Sequence, residues 1–156
     1  MLVAFSNAAP AGPSYRIVES HGVQRWNHIV LGEEAGDAEL VMRTVPEAGI
    51  GTGSGTCTLI QLGTPSAAIE EAFNRTMRDA DLAKAMRLPG ALSAQRYRLE
   101  PMVGRCTWET LTVYGFEGDD RQALTQALVD AADVWEGDPS CIVMRVEHFE
   151  REEQAR

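Results

Sequence analysis

The sequence predicts an α+β protein built from two related repeats, the first reduced to strands and the second a complete β-α-β-β-α-β unit. Three observations predict this class. Short segments of the first third of the chain recur farther along in the same order. The second set is interrupted by two stretches with apolar residues at helical spacing, and the remaining segments are rich in β-branched and aromatic residues. The 156 residues suit one domain or two small half-domains.

The internal repeat joins four pairs of segments. Tyr15-Arg16-Ile17 recurs as Tyr97-Arg98-Leu99, and the other pairs match residues 1–10 with 56–65, 29–34 with 112–117, and 40–43 with 142–145. The separation between matching segments increases along the chain. The second copy has therefore gained two stretches, each long enough to be a whole element.

The two additional stretches predict amphipathic helices. The first spans residues 66–88, with Thr64 as its N-terminal cap and Pro89-Gly90 as its stop. The second spans residues 120–135, with Asp120 as its cap. In each stretch the apolar residues fall on one face, which is the pattern of a helix that covers a core.

The remaining segments predict eight strands. Those of the second copy are residues 57–62, 92–100, 107–116 and 141–149, and with the two helices they give the order of a ferredoxin-like unit. Those of the first copy are residues 1–7, 14–20, 25–33 and 39–45, with no helix between them. The predicted domains are a half-repeat of residues 1–48, a flexible glycine-rich joint of residues 49–55, a complete repeat of residues 56–150 and a charged tail of residues 151–156.

Two stretches of sequence resemble a known superfamily. Phe73-Asn74-Arg75 and the segment Leu88-Pro89-Gly90-Ala91-Leu92-Ser93-Ala94-Gln95-Arg96-Tyr97-Arg98-Leu99 are similar to a helix and a strand of the dimeric α/β-barrel superfamily, in particular its EthD-like branch. The resemblance implies that two ferredoxin-like sheets face each other as a barrel with the helices outside, fused here in one chain. It also implies ligand sites in clefts between sheet and helices, and it covers activities from cofactor-free monooxygenases and isomerases to haem enzymes.

The first helix departs from that superfamily where relatives carry chemistry. Relatives commonly have Glu-His where this chain has Ala80-Asp81, so the resemblance does not supply a catalytic histidine on this helix. Asp81 would act as a base if it were buried. Its sequence neighbours Arg78 and Lys84 favour instead a solvated surface charge.

A sheet without helices leaves one face uncovered, and this predicts self-association. On the first copy that face is expected to carry Trp26, His28 and Val30, in line with Leu111 and Val113 on the helix-covered face of the second copy. Exposed apolar patches usually mark interfaces, so Trp26 and Val30 are predicted to lie in the interface of a homodimer or higher oligomer. A single exposed tryptophan without a partner is the alternative.

The candidate catalytic residues are Arg96, Tyr97 and His28. Arg96 could bind a carboxylate or enolate oxygen in a cleft, or it could pair with a glutamate at a sheet edge. Tyr97 faces the opposite side of the same strand. His28 would titrate near neutral pH, although a core or interface histidine fits the same position.

The candidate ligand-binding residues are Trp108, Tyr114, Asn74 and Arg145. Trp108 and Tyr114 alternate onto one face of a predicted strand, where rings with a polar tip suit a flat apolar ligand or, equally, a barrel core. Arg145 occupies on the last strand the position that Arg43 occupies in the first copy, and Asn74 lies on the first helix.

Composition narrows the function classes. The net charge of −9 argues against a nucleic-acid partner, and no apolar run is long enough to cross a membrane. Cys57, Cys106 and Cys141 lie too far apart for a metal pair, so no metal or other cofactor is predicted, and an odd cysteine number fits a reduced, cytoplasmic protein. Lys84 is the one lysine among many arginines, which is typical of a GC-rich bacterial genome.

The predicted function is binding of a small apolar or aromatic compound, with or without cofactor-free proton transfer, isomerisation or monooxygenation. The alternative is a catalytically silent ligand-binding or assembly protein, and haem binding is the least favoured hypothesis. Because one fold hosts many functions, this choice depends on the site.

Overall fold

The computed structural model describes residues 1–8, 15–20, 26–65, 67–68, 70–105, 108–131 and 146–151, with the backbone alone for residues 15–20 and 146–151. The strands are β1 (Leu2–Ser6), β2 (Tyr15–Ser20), β3 (His28–Gly32), β4 (Leu40–Gly51), β5 (Cys57–Gly63), β6 (Ala91–Val103), β7 (Thr110–Phe116) and β8 (Val146–Arg151). The helical segments are α1 (Glu70–Thr76), a π-helical turn (Met77–Asp81) that continues it, α2 (Leu82–Ala85) and α3 (Arg121–Ala131). These elements confirm the α+β class.

The eight strands form one closed antiparallel sheet in the order β1-β3-β2-β8-β5-β7-β6-β4. The first four strands pair in the order β4-β1-β3-β2 and the last four in the order β8-β5-β7-β6, so each half follows the same order of its own strands. Two seams join the halves, β2 with β8 and β4 with β6. The β4–β6 seam runs from Val41 opposite Val103 to Gly51 opposite Ser93.

The fourth strand is longer than its sequence predicts. β4 continues past Val45 to Gly51, through the beginning of the segment predicted as a flexible joint. Gly51 has a φ of 70°, and a Cβ built there would lie 2.1 Å from the carbonyl oxygen of Leu92. Only glycine fits this position, where the chain turns while in close contact with β6.

The helices fall within the predicted stretches, but the first begins later than predicted. α1 begins at Glu70 and not directly after Thr64, whereas α2 ends before Pro89-Gly90 as expected. At the start of α3, Oδ1 of Asp120 accepts a hydrogen bond from the amide of Ala123 at 3.0 Å, which confirms Asp120 as the cap. Within the described part of the chain, no helix combines the length and the apolar character required to span a membrane.

Two apolar cores lie on opposite sides of the sheet. The lumen core fills the barrel interior and consists of Val3, Phe5, Ile29, Leu40, Met42, Ile60, Leu62, Leu99, Trp108 and Leu111. The helix-side core lies between the outer face of β5, β6 and β7 and the helices α2 and α3, and consists of Cys57, Leu59, Leu82, Ala85, Ala94, Tyr114, Phe116 and Leu128. Successive side chains of a strand contribute to opposite cores, as the alternation of a pleated strand requires.

The face predicted for Leu111 and Val113 is wrong. Both pack in or against the lumen core and not on the helix-covered face. Trp26 also packs against the lumen core, with its ring centre 6.5 Å from that of Phe5, so it is not part of an uncovered outer face. Val30 does face outward from β3 and is half-buried. Self-association stays a prediction, but Trp26 no longer supports it.

Candidate functional site

A row of polar side chains crosses the sheet beneath the helices. Gln61 on β5, Thr112 on β7 and Arg96 on β6 are register partners in neighbouring strands, and all three are buried. Register partners share a face of the sheet, and this face is the one that contacts Asn74 on α1. Buried polar groups need hydrogen-bond partners. The partners of these three side chains therefore show how much hydrogen-bonding capacity the row has left for a ligand.

Arg96 is the centre of the row, with 1% of its surface exposed. Its Nη2 donates to Oδ1 of Asn74 at 2.5 Å, and its Nη1 donates to Oγ1 of Thr112 at 3.3 Å. Its guanidinium carbon lies 5.6 Å from the centre of the Phe73 ring, within cation–π range. Burial lowers the pKa of Arg96, and the negative charge of Glu47 opposes this shift. Arg96 therefore ties α1 to β6 and β7.

A β-bulge places Glu47 beside Arg96. In the β4–β6 pairing, Pro46 lies opposite Tyr97 and Ala48 lies opposite Arg96, so Glu47 is the additional residue on β4. Its Oε2 lies 3.4 Å from Nε of Arg96, and its side chain is 18% exposed. Sequence reasoning missed Glu47. The available signal is Pro46, because a proline inside a strand often marks a bulge.

Two further groups of this layer, Tyr114 and Asp81, are buried beneath the helices. The Tyr114 hydroxyl donates to Oε1 of Gln61 at 2.9 Å. Burial raises the pKa of Tyr114, the positive charge of Arg96 lowers it in part, and the negative charge of Asp81 raises it. Asp81 is 4% exposed, so the expectation of a solvated surface charge is wrong. Asp81 is the last residue of the π turn. A π turn has more residues per turn than an α-helix, so Asp81 lies on a different face of the helix from the one that α-helical spacing predicts.

A pocket of about 400 Å³ opens from the barrel lumen, on the side of the sheet opposite Arg96. Its wall combines lumen-facing positions of β5, β6 and β7 with the segment between β4 and β5, and its lining residues are Met1, Leu31, Gly51, Thr52, Gly53, Ser54, Thr58, Ser93, Gln95, Tyr97, Val113, Tyr114 and Gly115. None of these lining side chains, within the described part of the chain, carries a formal charge. The volume lies in the range of small-molecule sites, about 300–1,000 Å³.

Residues 51–54, called the strap below, line the lumen pocket. Nε2 of Gln95 donates to the carbonyl oxygen of Gly51 at 3.0 Å, and the Ser93 hydroxyl donates to the carbonyl oxygen of Gly53. Gly115 packs against the same Gly53 carbonyl, since a Cβ built on Gly115 would lie 2.3 Å from that oxygen. The strap is therefore fixed by residues that themselves line the pocket.

The three candidate catalytic residues do not come together. Arg96 lies on the helix side of the sheet, whereas Tyr97 lines the lumen pocket on the opposite side. His28 is buried on the outward face of β3, next to the lumen-facing Ile29. Burial raises the pKa of Tyr97, so its hydroxyl stays protonated at neutral pH. The three residues therefore do not form one site, and a catalytic role of any one of them stays a prediction.

The candidate ligand-binding residues are also divided. Asn74 lies in the helix-side layer described above. The Tyr114 side chain lies in the same layer, although Tyr114 also borders the lumen pocket. Trp108 lies in the lumen core with its ring centre 5.5 Å from that of Phe5, because it precedes β7 and does not follow the strand's alternation. Arg145 lies outside the described residues.

The described side chains offer no obvious metal centre: no three or more His, Cys, Asp or Glu residues among them are grouped to hold an ion. Cys57 is buried in the helix-side core, and Cys106 and Cys141 lie outside the described residues. Comparison of the chain with models of protein families, with curated proteins and with solved structures finds no match. The site is therefore interpreted from its own geometry.

Proposed function

We propose that the protein binds a small, largely apolar molecule in the lumen pocket. The observation that carries the proposal is the pocket itself, a space of about 400 Å³ in which Leu31 and Val113 lie beside a few hydroxyl groups and the Gln95 amide. A mostly apolar wall with a small number of placed polar groups is typical of ligand sites.

The helix-side row supports ligand binding less well than the lumen pocket does. Arg96 is not among the residues that line the pocket, and its guanidinium already bonds Asn74 and Thr112. The Tyr114 hydroxyl likewise bonds Gln61. Nε of Arg96 makes no hydrogen bond and lies 3.4 Å from Oε2 of Glu47. Most of the row's other polar groups bond one another or Asn74, so the row acts mainly to position α1 on the sheet.

We further propose that the chain is a fused pair of ferredoxin-like units of the dimeric α/β-barrel type, with the first unit lacking helices. Support comes from the identical strand order of the two halves and from their pairing across two seams. Within the described part of the chain, the helices all follow β5. The likeness of residues 73–99 to that superfamily supports the same assignment. The lumen pocket then draws its lining from both units, since Leu31 belongs to the first and Val113 to the second.

A second candidate function is cofactor-free proton transfer on the helix side, and the π turn favours it. π-helical turns occur frequently at functional sites, and this one ends at the buried carboxylate of Asp81, close enough to Arg96 and Tyr114 to influence the pKa of both. Asp81 would act as the base and Arg96 would stabilise the developing enolate. The test is deuterium exchange from solvent into the α-carbon of a panel of ketones, followed by NMR. Exchange that D81N abolishes supports this function, and a panel without protein-dependent exchange rejects it.

The binding proposal is tested with N-phenyl-1-naphthylamine, an uncharged apolar probe whose fluorescence rises in apolar surroundings. Leu31→Trp should fill part of the lumen pocket and weaken probe binding at least about fivefold, since overfilled sites reject an occupant. Val30→Trp is the matched control, because Val30 is the preceding residue of β3 and faces outward. It should bind the probe like the wild type.

Three outcomes would reject the proposal. One is a wild-type protein that does not bind the probe up to its solubility limit. Another is an L31W variant that shows the same thermal unfolding as wild type and also the same probe affinity. Equal loss of affinity in L31W and V30W would place the probe on the barrel surface and reject the lumen pocket as its site.

A further inference from the structure

The polar groups of the lumen pocket fall into two sets. Ser93 and Gln95 donate to carbonyl oxygens of the strap, so their hydrogen-bonding capacity is partly used. Thr52, Ser54, Thr58 and Tyr97 line the same pocket, and their side-chain hydroxyls make no hydrogen bond with the described part of the chain. Thr52 and Ser54 are exposed on the strap, whereas Thr58 and Tyr97 are more buried. The second set therefore holds the groups that a bound molecule can engage.

Tyr97 has apolar register partners on both neighbouring strands. It lies opposite Leu111 of β7 and Pro46 of β4, and it packs against the lumen core. Burial raises the pKa of its phenol, so at neutral pH the group is a hydroxyl that can donate a hydrogen bond. An acceptor on a bound molecule can take this hydrogen bond in place of water.

The ligand's acceptor is restricted by charge. In the described part of the chain, the lining side chains of the pocket carry no formal charge to balance a carboxylate or phosphate. Met1 also lines the pocket, and its α-ammonium already lies 3.8 Å from Oε1 of Glu33. Transfer of an ionised group into such a site is strongly unfavourable without a counter-charge. A carbonyl oxygen accepts a hydrogen bond without bringing a net charge into the pocket.

We propose that the lumen pocket recognises an uncharged apolar molecule with a ketone, aldehyde or ester carbonyl, which accepts a hydrogen bond from the Tyr97 hydroxyl. This inference rests on the proposed binding function and specifies the ligand class of the same pocket. Tyr97 is then the residue that distinguishes a carbonyl compound from a hydrocarbon of the same shape, while Leu31 and Val113 contact the apolar part.

The experiment compares 2-acetylnaphthalene with 2-ethylnaphthalene, which have nearly the same shape and differ in the carbonyl. Each displaces N-phenyl-1-naphthylamine from wild type, Tyr97→Phe and Thr58→Val. In Y97F the ratio of ketone affinity to hydrocarbon affinity should fall by about 2- to 12-fold relative to wild type, the usual range for one hydrogen bond. The hydrocarbon affinity should stay within about twofold, and T58V should keep the wild-type ratio.

The outcomes separate this inference from the binding function. If wild type binds neither compound nor the probe, the proposed function fails and this inference fails with it. If both compounds bind and Y97F leaves their ratio unchanged, the pocket stands and the role of Tyr97 is overturned. If the ratio falls in T58V and not in Y97F, the role of Tyr97 is also overturned.

A measurement on the wild type alone keeps the inference testable if Y97F does not fold. The infrared carbonyl stretch of bound 2-acetylnaphthalene should lie at lower frequency than in an apolar solvent, because a hydrogen bond weakens the carbonyl bond. A stretch at the apolar-solvent frequency would show that the carbonyl has no donor in the pocket and would overturn the proposal.

Discussion

Glu47, the additional residue of the β4 bulge, holds a carboxylate oxygen 3.4 Å from Nε of Arg96 across the seam between the two halves of the barrel. If the register on the Pro46 side continued without a bulge, Glu47 would pair directly with Arg96; the bulge instead sets Glu47 and Ala48 together against that one residue. Glu47 therefore supplies a negative charge at the position where burial disfavours the positive charge of Arg96.

Removal of the Glu47 charge should destabilise the protein. In Glu47→Gln the buried guanidinium keeps its bonds to Asn74 and Thr112 but loses its counter-charge. We expect the free energy of unfolding to fall by about 1–3 kcal/mol, the usual cost of leaving a buried polar group without its partner. The measurement is urea unfolding of E47Q and wild type at pH 7.

The matched control is an ion pair on the exposed side of the same two strands. Glu100 of β6 contacts Arg43 of β4 and also Arg98, at 3.1 Å from the latter. Exposed pairs contribute about 0–1 kcal/mol, so Glu100→Gln should cost less than E47Q. Equal losses in the two variants would show that the bulge carboxylate has no special role at the seam.

The stability should fall at high pH because of Tyr114. Burial raises the pKa of this phenol in the folded protein, whereas the unfolded chain ionises it near pH 10. The stabilisation that the buried, un-ionised Tyr114 phenol provides is therefore fully present below pH 10 and is lost as the pH rises above 10. By pH 11 the loss amounts to about 1.4 kcal/mol.

The variant Tyr114→Phe isolates this effect. Its difference from wild type in the free energy of unfolding, measured at pH 8 and again at pH 11, should move by about 1.4 kcal/mol in favour of the variant. Tyr97→Phe should show a smaller change, because Tyr97 is less buried. A Y114F difference that is the same at both pH values would contradict the prediction.

The elements of this fold could be predicted from sequence, but the faces of its central strands could not. Local signals, such as the Asp120 cap, set the ends of elements and depend only on near neighbours in sequence. β7 is buried on both faces, so Leu111 and Val113 on one side alternate with Thr110 and Thr112 on the other. Hydrophobic alternation cannot orient a strand of which neither face meets solvent.

Only part of the site could be predicted from the sequence, because much of its geometry depends on contacts between residues far apart in the chain. Arg96 could be found because a buried arginine is rare unless it is paired. Tyr114 could be found from the alternation of its strand, and Asn74 from its place on the first helix. The contact of Glu47 with Arg96 depends on the pairing of β4 with β6, two strands that lie far apart in the chain. The lumen pocket depends on ring closure and on the strap, and both arise from contacts between residues far apart in the chain.

Trp26 should contribute to folding and not to association. Its ring packs on Phe5 and the lumen core, so Trp26→Ala removes apolar contacts from the barrel interior. We expect the free energy of unfolding to fall by about 2–4 kcal/mol, somewhat less than for a fully buried ring. Urea unfolding measures this loss, and size-exclusion chromatography at several concentrations should give the same profile for W26A and wild type. A changed association profile with unchanged stability would restore the interface hypothesis for this residue.

The close approach of the strap to β7 makes Gly115 intolerant of a side chain. A Cβ there would lie 2.3 Å from the Gly53 carbonyl oxygen and 2.8 Å from Oγ of Ser93, so Gly115→Ala must displace the strap. We expect a loss of about 1–3 kcal/mol in the free energy of unfolding, the usual cost of overpacking, and faster cleavage within residues 51–54 by a non-specific protease. Gly32→Ala is the matched control, since a Cβ on Gly32 meets nothing within 4 Å, and its stability should stay within about 1 kcal/mol of wild type. If G115A were as stable and as resistant to cleavage as G32A, the strap would not be fixed by its contact with β7.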